Sequence, residues 1–407
     1  MFTKKQIIMM VLLVVVTIII GIVMYMLFKK TAPGKFATET STSSVSGLLP
    51  SAGQRVSSTI ITQADGTQIV LPSSIGITTT PSVYRPEAVT KISSDFANYP
   101  SVNSNGNSRY YNSLDGKFYK IDANGNIVEL VDETFYNVQS VTWAPTKDVA
   151  VIEYPDSSKI IYNFEKNTQV SIPKHWEEFS FSADSSEIAA KSLGLSPDSR
   201  YLITTKDDGT GTKIIEGMGN NSQYVDINWS PSKQVVAFSQ TGQALGGDRR
   251  EVLMVGLNGE NFKSLEIEGS NFEPQWSSTG KKLLYSVNSA RSNYKPELWL
   301  TDAYGDSIGN NRTLVNLNTW ASKCTFSGDT TLYCAVPRSL PVGAGMNRTV
   351  SNSTYDDLYK IDLTTGLKTP LSLGNDNYTV DTISYNKKKG KVQFTDTNKT
   401  GIYEVNL

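Results

Sequence analysis

The chain has 407 residues, 38 Lys+Arg against 39 Asp+Glu, 39% hydrophobic residues, 2 Cys and 1 His. That apolar content excludes wholesale disorder, and the net charge of -1 excludes a protein dominated by nucleic-acid binding, so no nucleic-acid partner is expected. Two Cys and one His leave no ligand set for a Cys- or His-built zinc site, and they confine any Ser-His-Asp chemistry to His175.

In chain order, residues 1–6 form a short tail with Lys4 and Lys5. Residues 7–28 follow without a single charge, with only Thr17 and Gly21 interrupting the apolar run. As a helix this segment is about 33 Å long, against a bilayer core of roughly 30 Å. Lys29 and Lys30 close it, at a height that suits lipid headgroups. A cleaved signal peptide has a shorter apolar run ending in small residues. This one ends Tyr25-Met26-Leu27-Phe28, so it reads as an uncleaved transmembrane helix. Lysines on both flanks nearly balance the positive-inside rule. The expected location is the cell membrane, single-pass, with the large C-terminal domain extracytoplasmic.

Residues 29–82 read as a Ser/Thr-rich tether; between 31 and 58, 11 of 28 residues are Ser or Thr. Within it, TIITQADGTQIVL (59–71) has two β-branched runs around Asp65-Gly66, the pattern of a small hairpin.

From residue 83 to 407 the chain repeats a two-part unit. The first part is an aromatic residue, a polar turn and an apolar strand, as in VTWAPTKDVAVIEY (141–154), INWSPSKQVVAFSQ (227–240) and PQWSSTGKKLLYSV (274–287). The second is strand, turn, strand, as in KIIYNFEKNTQVSI (159–172) and DLYKIDLTTGLKTPL (357–371). Tyr119, Tyr162, Ile203, Met254, Trp299, Tyr359 and Tyr403 occupy equivalent places, about 47 residues apart on average. A period of that length with about four short strands per unit predicts an all-β fold, a β-propeller of seven four-stranded blades. Six and eight blades are the alternatives, since the first and last copies are weakest. The last unit is one strand short, and VYRPEAVTKIS (83–93) is a spare strand that would complete it and close the ring.

Cys324 and Cys334 flank the turn Ser327-Gly328-Asp329-Thr330. In a hairpin they face each other at disulfide distance; the alternative is two buried free thiols. A disulfide would place the domain in an oxidising compartment.

The segments WSPSKQVVAF (229–238), WSSTGKKLLY (276–285), WAPTKDVAVI (143–152) and FSADSSEIAA (181–190) resemble the WD40-like repeat called PD40 of bacterial TolB-like proteins. Trp229, Ser230 and Pro231 match the start of that pattern, and Tyr359, Ile361 and Asp362 its second part. The Asp-Gly of the family's turn is mostly replaced, as in Pro231-Ser232-Lys233. The resemblance covers roughly residues 87–407 and implies a bacterial cell-envelope propeller that binds other proteins and catalyses nothing. The anchor and tether stand where TolB itself has a folded α/β domain, so the resemblance is to the repeat family and not to TolB.

Three long insertions fall between the second and third strands of successive units: 239–251, 286–297 and 335–357. They carry Arg249, Arg250, Arg291, Lys295, Arg338 and Arg348, with Tyr294 and Tyr355. Equivalent loops of a propeller emerge on one face, so these residues are the candidate binding rim for another envelope protein or an anionic envelope polymer. No cofactor is expected. His175 beside Glu177 and Glu178, and Asp207-Asp208-Gly209-Thr210-Gly211 with its partial likeness to a calcium loop, are the weaker candidates. The expected function is a non-catalytic, membrane-tethered interaction scaffold. The alternative is a carbohydrate-active enzyme, a glycosidase or lyase, with a carboxylate pair in the propeller groove.

Overall fold

A computed structural model describes residues 58–62, 68–72, 88–260 and 262–407. The expected transmembrane helix at 7–28 and most of the tether lie outside the described residues. Among the described residues no helix is long and apolar enough to cross a membrane. The chain divides into two units, 1–81 and 82–407. In the first, strands Ser58–Thr62 and Gln68–Pro72 pair antiparallel, with Ser58 opposite Pro72.

The second unit is a seven-bladed β-propeller of antiparallel sheets; blades 1, 2, 3, 5 and 6 have four strands in chain order, and blade 4 adds the short strand Ala244–Gly246. The innermost strands are Ala97–Val102, Ser140–Trp143, Trp176–Phe181, Val225–Ile227, Ser270–Trp276, Cys324–Ser327 and Val380–Asn386. The seven equivalent residues picked out by the repeat all lie on third strands, from Tyr119 in Lys117–Ile121 to Tyr403 in Ile402–Val405. Blade 7 is completed by Val89–Lys91, which pairs antiparallel with Ile402–Val405; Val89 lies opposite Val405 and Lys91 opposite Tyr403. The spare strand thus closes the ring, though it is shorter than the run 83–93 suggested.

A blade buries both faces, so the apolar core is divided into layers between neighbouring blades. Phe118, Phe135, Ile152 and Tyr162 fill the layer between blades 1 and 2. Val235, Phe238, Trp276 and Leu283 belong to the layer between blades 4 and 5. The aromatic residues that open the first part of the repeat wedge between the blades: Trp229, Trp276, Phe181 and Phe326 are buried at or just beyond the ends of innermost strands. Trp276 and its blade 2 equivalent Trp143 also bond backward. Trp143 Nε1 donates to Tyr99 O of blade 1 at 2.8 Å, and Trp276 Nε1 to Asn228 O of blade 4 at 3.2 Å. The seam between blades 7 and 1 has the thinnest layer, with Ala97, Tyr110, Ile121 and Ile402 as its buried members.

Cys324 and Cys334 lie opposite each other on the first two strands of blade 6 and form a disulfide, with Cα atoms 4.0 Å apart. Asp208 and Gly209 sit in the turn between the third and fourth strands of blade 3. Gly209 takes a φ of +78°, which a side chain resists, and Asp208 Oδ1 accepts from Thr210 N at 2.9 Å. That aspartate is spent on its own turn.

Candidate functional site

The three insertions occupy the same topological slot, between second and third strands, and so emerge on one face. Their local structures differ. In blade 4 the insertion is ordered as a hairpin, because Ala244–Gly246 pairs with the start of Arg249–Gly256. In blade 5 it is a single 3-10 turn, Ala290–Ser292, followed by Asn293 and Tyr294 in the left-handed conformation. In blade 6 it holds two 3-10 segments, Ala344–Met346 and Arg348–Ser353, packed through Trp320, Leu340, Ala344 and Val350.

The blade 6 insertion is braced on both sides. Gly345 O accepts from Asn288 Nδ2 at 2.9 Å and from Asn271 Nδ2 at 3.1 Å, both in blade 5, and Gly345 N donates to Tyr294 O at 2.8 Å. A Cβ at Gly345 would lie 2.6 Å from Asn288 Cβ, so this approach needs glycine for its lack of bulk. On the other side Arg348 Nη2 donates to Asp381 O at 2.6 Å, in the innermost strand of blade 7.

The rim residues fall into two groups. Around blades 4 and 5, Arg249 pairs with Glu266 at 3.1 Å, and Arg291 with Glu297 at 2.7 Å and Glu268 at 3.6 Å. Arg291 also lies over the Trp299 ring, 5.1 Å from its centroid, with Arg312 at 4.3 Å. Arg250 donates through Nη2 to Gly269 O at 3.0 Å. Around blades 6 and 7, Arg338 pairs with Asp357 at 2.8 Å and lies 6.0 Å from the Tyr355 ring, while Arg348 pairs with Asp381 at 3.4 Å. Tyr294 and Tyr355 are exposed, and Lys295 makes no ion pair among the described residues. The rim is therefore charge-matched: four of its arginines each face a carboxylate, with Glu297 and Asp357 inside the insertions and Glu266, Glu268 and Asp381 outside them.

Below the rim, blades 3, 4 and 5 place Glu178, Asp226 and Glu273 on their innermost strands. Glu178 pairs with Lys191 at 2.6 Å, Asp226 accepts from Gln240 Nε2 at 2.8 Å, and Glu273 accepts from Ser322 N at 2.6 Å. Burial pushes the Asp226 carboxyl above its ordinary range, and the charge of Glu178 adds to the shift. His175 is exposed, and its side chain makes no hydrogen bond among the described residues. Among the described residues, no three His, Cys, Asp or Glu side chains are grouped so as to hold a metal ion.

A cavity of about 510 Å³ opens beside the rim at the seam of blades 7 and 1. Phe96, Asn98 and Tyr99 line it from blade 1, Asp381, Thr382 and the loop 397–401 from blade 7, and Asn352 from the blade 6 insertion. Sequence reading missed it, because its walls come from residues some 300 positions apart and carry no motif.

No family model matches the chain, and no curated protein matches it. Solved structures do. The β-propeller domain of Cps50 (Swd1) from Myceliophteria thermophila aligns with a TM-score of 0.52 and 12% identity, over 78% of this chain and 99% of that one. An oligogalacturonate lyase in complex with manganese aligns with a TM-score of 0.54 and 11% identity, over 86% and 96%. The oligogalacturonate lyase from Vibrio parahaemolyticus aligns with a TM-score of 0.51 and 10% identity, over the same shares. At such identities the likeness is one of fold: the class defined here is the β-propeller.

Proposed function

We propose that the chain is a non-catalytic scaffold of bacterial TolB-like (PD40) type. It is anchored in the cell membrane by residues 7–28 and presents its propeller outside the cytoplasm. Its partner is another envelope protein or an anionic envelope polymer, held on the loop-bearing face. One observation carries this reading: the blade 6 insertion is fixed to blade 5 through Gly345 and to blade 7 through Arg348, making a preformed surface across three blades. The disulfide at Cys324–Cys334 supports an oxidising compartment.

Photo-crosslinking residues placed at Tyr294 and Tyr355 in intact cells test the proposal, with Tyr304, in a turn on the opposite face, as control. The same adduct is expected from both rim positions, absent from Tyr304, and lost when Arg249, Arg291, Arg338 and Arg348 become Ser. Equal labelling from Tyr304, or an adduct that survives the four substitutions, overturns it.

The enzyme reading retains one specific support, the pairing of a raised Asp226 with the nearby charge of Glu178, the pattern of divided acid and base roles. Against it, both carboxylates are engaged within the blade wall. Glycan cleavage that Asp226→Asn abolishes would establish that reading; cleavage unchanged in that variant would end it.

A further inference from the structure

We propose that the cavity at the seam of blades 7 and 1 binds a neutral carbohydrate, stacked on Phe96 and hydrogen-bonded by the amide and hydroxyl groups around it. The inference rests on the reading of the propeller as a binding module and assigns one of its ligands.

Size and place come first. At about 510 Å³ the cavity lies within the range of small-molecule sites, roughly 300–1,000 Å³. It opens on the loop-bearing face, since the loop 397–401 joins the second and third strands of blade 7 and Asn352 comes from the blade 6 insertion.

The backbone supplies the second observation. Phe96 and Tyr99 hold φ of 63° and 51°, a region that bulky side chains rarely enter. Packing gives no return for this strain at Phe96, which is 45% exposed and belongs to none of the apolar layers. Glycine or asparagine would take the same conformation without cost. An exposed aromatic ring kept in a strained conformation at a cavity mouth points to contact with a ligand.

The polar lining decides the ligand's chemistry. Its charged groups are already committed. Asp381 is held by Arg348. The Asp396 carboxylate accepts from Asn398 N at 2.7 Å, Lys399 N at 2.8 Å and Thr379 N at 2.5 Å. Lys399 pairs with Asp376 at 3.2 Å and lies over the Tyr378 ring. Each charged side chain of the lining thus has a partner within the fold, which disfavours a strongly charged ligand. The groups left over are neutral. Asn98 uses its Nδ2 on Phe96 O and Ser113 Oγ, which leaves its Oδ1 to accept. The Asn352 side chain makes no hydrogen bond among the described residues, and Thr382 Oγ1 shares a single hydrogen bond with Thr395 Oγ1 at 2.7 Å. Sugar hydroxyls both donate and accept, and a pyranose presents an apolar C–H face to an aromatic ring, so a neutral glycan uses all of these groups at once.

The test titrates the full chain, in a detergent without a sugar headgroup, with maltotriose, cellotriose, chitotriose and, as an anionic counterpart, trigalacturonate. Calorimetry reads the affinity. At least one neutral trisaccharide is expected to bind, and trigalacturonate to bind more weakly or not at all. Phe96→Gly should weaken that binding by about tenfold or more. Its melting temperature should stay level or rise, because backbone strain is relieved; a merely structural Phe96 would give the reverse. The rim substitutions Arg249→Ser and Arg291→Ser should leave sugar affinity unchanged, so a failure of the rim proposal is read separately from a failure here. Absence of binding by all three neutral sugars, a preference for trigalacturonate, or unchanged affinity in Phe96→Gly overturns the proposal.

Discussion

Lys323 and Asp356 are fully buried, 2.8 Å apart, where blade 6 meets blade 7. Asp356 Oδ2 also accepts from Val380 N at 2.7 Å, while Oδ1 has no partner among the described residues. Burial pushes the lysine pKa down and the carboxyl pKa up, and each is opposed by the charge of the other. Such a pair adds little net stability, but breaking it strands a charge away from water. Asp356→Asn is therefore expected to cost about 3–5 kcal/mol, read as a lower urea midpoint with an unchanged slope. The double variant Lys323→Met, Asp356→Leu should recover most of that loss. At this scale the sequence was partly legible. The Trp and Phe wedges announced themselves by recurring before a polar turn, and Cys324 and Cys334 by their symmetry about it. The carboxylates that reach Arg291 and Arg348 from neighbouring blades were not, because Glu268 and Asp381 lie in strands that only the folded ring brings near. The exposed Phe96 carried no signal at all, since a left-handed φ at a bulky residue breaks the local rules from which sequence expectations are made.

At the scale of the blade, short turns repeat a device in which an aspartate ties the chain back on itself. The hydroxyl of Ser158 holds the Asp156 carboxyl down to about 2, with Ser158 N and Lys174 adding to the effect. Asp122 is lowered by the Asn126 side chain, Asp208 by the Thr210 hydroxyl, and Asp362 by the backbone N–H groups of Thr365 and Thr364. A carboxyl whose folded pKa lies below its unfolded value of 3.8 stabilises the fold above that value, and the contribution is lost as pH falls through the folded pKa. Asp226 and Asp356, raised by burial, have the opposite sign: their shifts favour the fold at low pH and that gain fades as pH rises through their raised values. The lowered turn aspartates outnumber them, so the melting temperature should fall steeply from about pH 4 towards pH 2, followed by circular dichroism. A melting temperature constant down to pH 2 would contradict this. Of these turns, Asp208-Gly209 was legible in the sequence as an Asp-Gly pair, and the turns at Asp156 and Asp362 were not. The hairpin inside the blade 4 insertion was not, because Gly246, Gly247 and Asp248 look like loop residues until the pairing of Ala244 with Arg250 is seen.

At the scale of the molecule, the apolar layers hold neighbour to neighbour, and the ring is completed by three residue pairs between Val89–Lys91 and Ile402–Val405. Two flanking bonds support them, Ile92 N to Ile402 O at 2.9 Å and Asn406 N to Ala88 O at 3.1 Å. Val89 packs against the layer of Tyr333, Val392, Phe394 and Val405. Val89→Asp places a charge in that layer and is expected to cost at least about 1–3 kcal/mol, read as a lower melting temperature. It should also expose the 92–96 connection to limited proteolysis. The number of blades and this closure followed from the 47-residue period and the spare strand. The seam cavity did not, because it exists only where the two ends of the repeat array meet.

That closing strand also sets an order of events during synthesis. Val89 leaves the ribosome 316 residues ahead of its partner Val405. At about 5–20 residues per second the wait is roughly 15–60 s. Throughout that interval six blades can stack while the edge of Val89–Lys91 stays unpaired, open to chaperones or to misplaced neighbours. Completion of the circle thereby waits for translation to reach Val405, and a nascent chain stalled before Ile402 would be recognisable to quality control by its open edge.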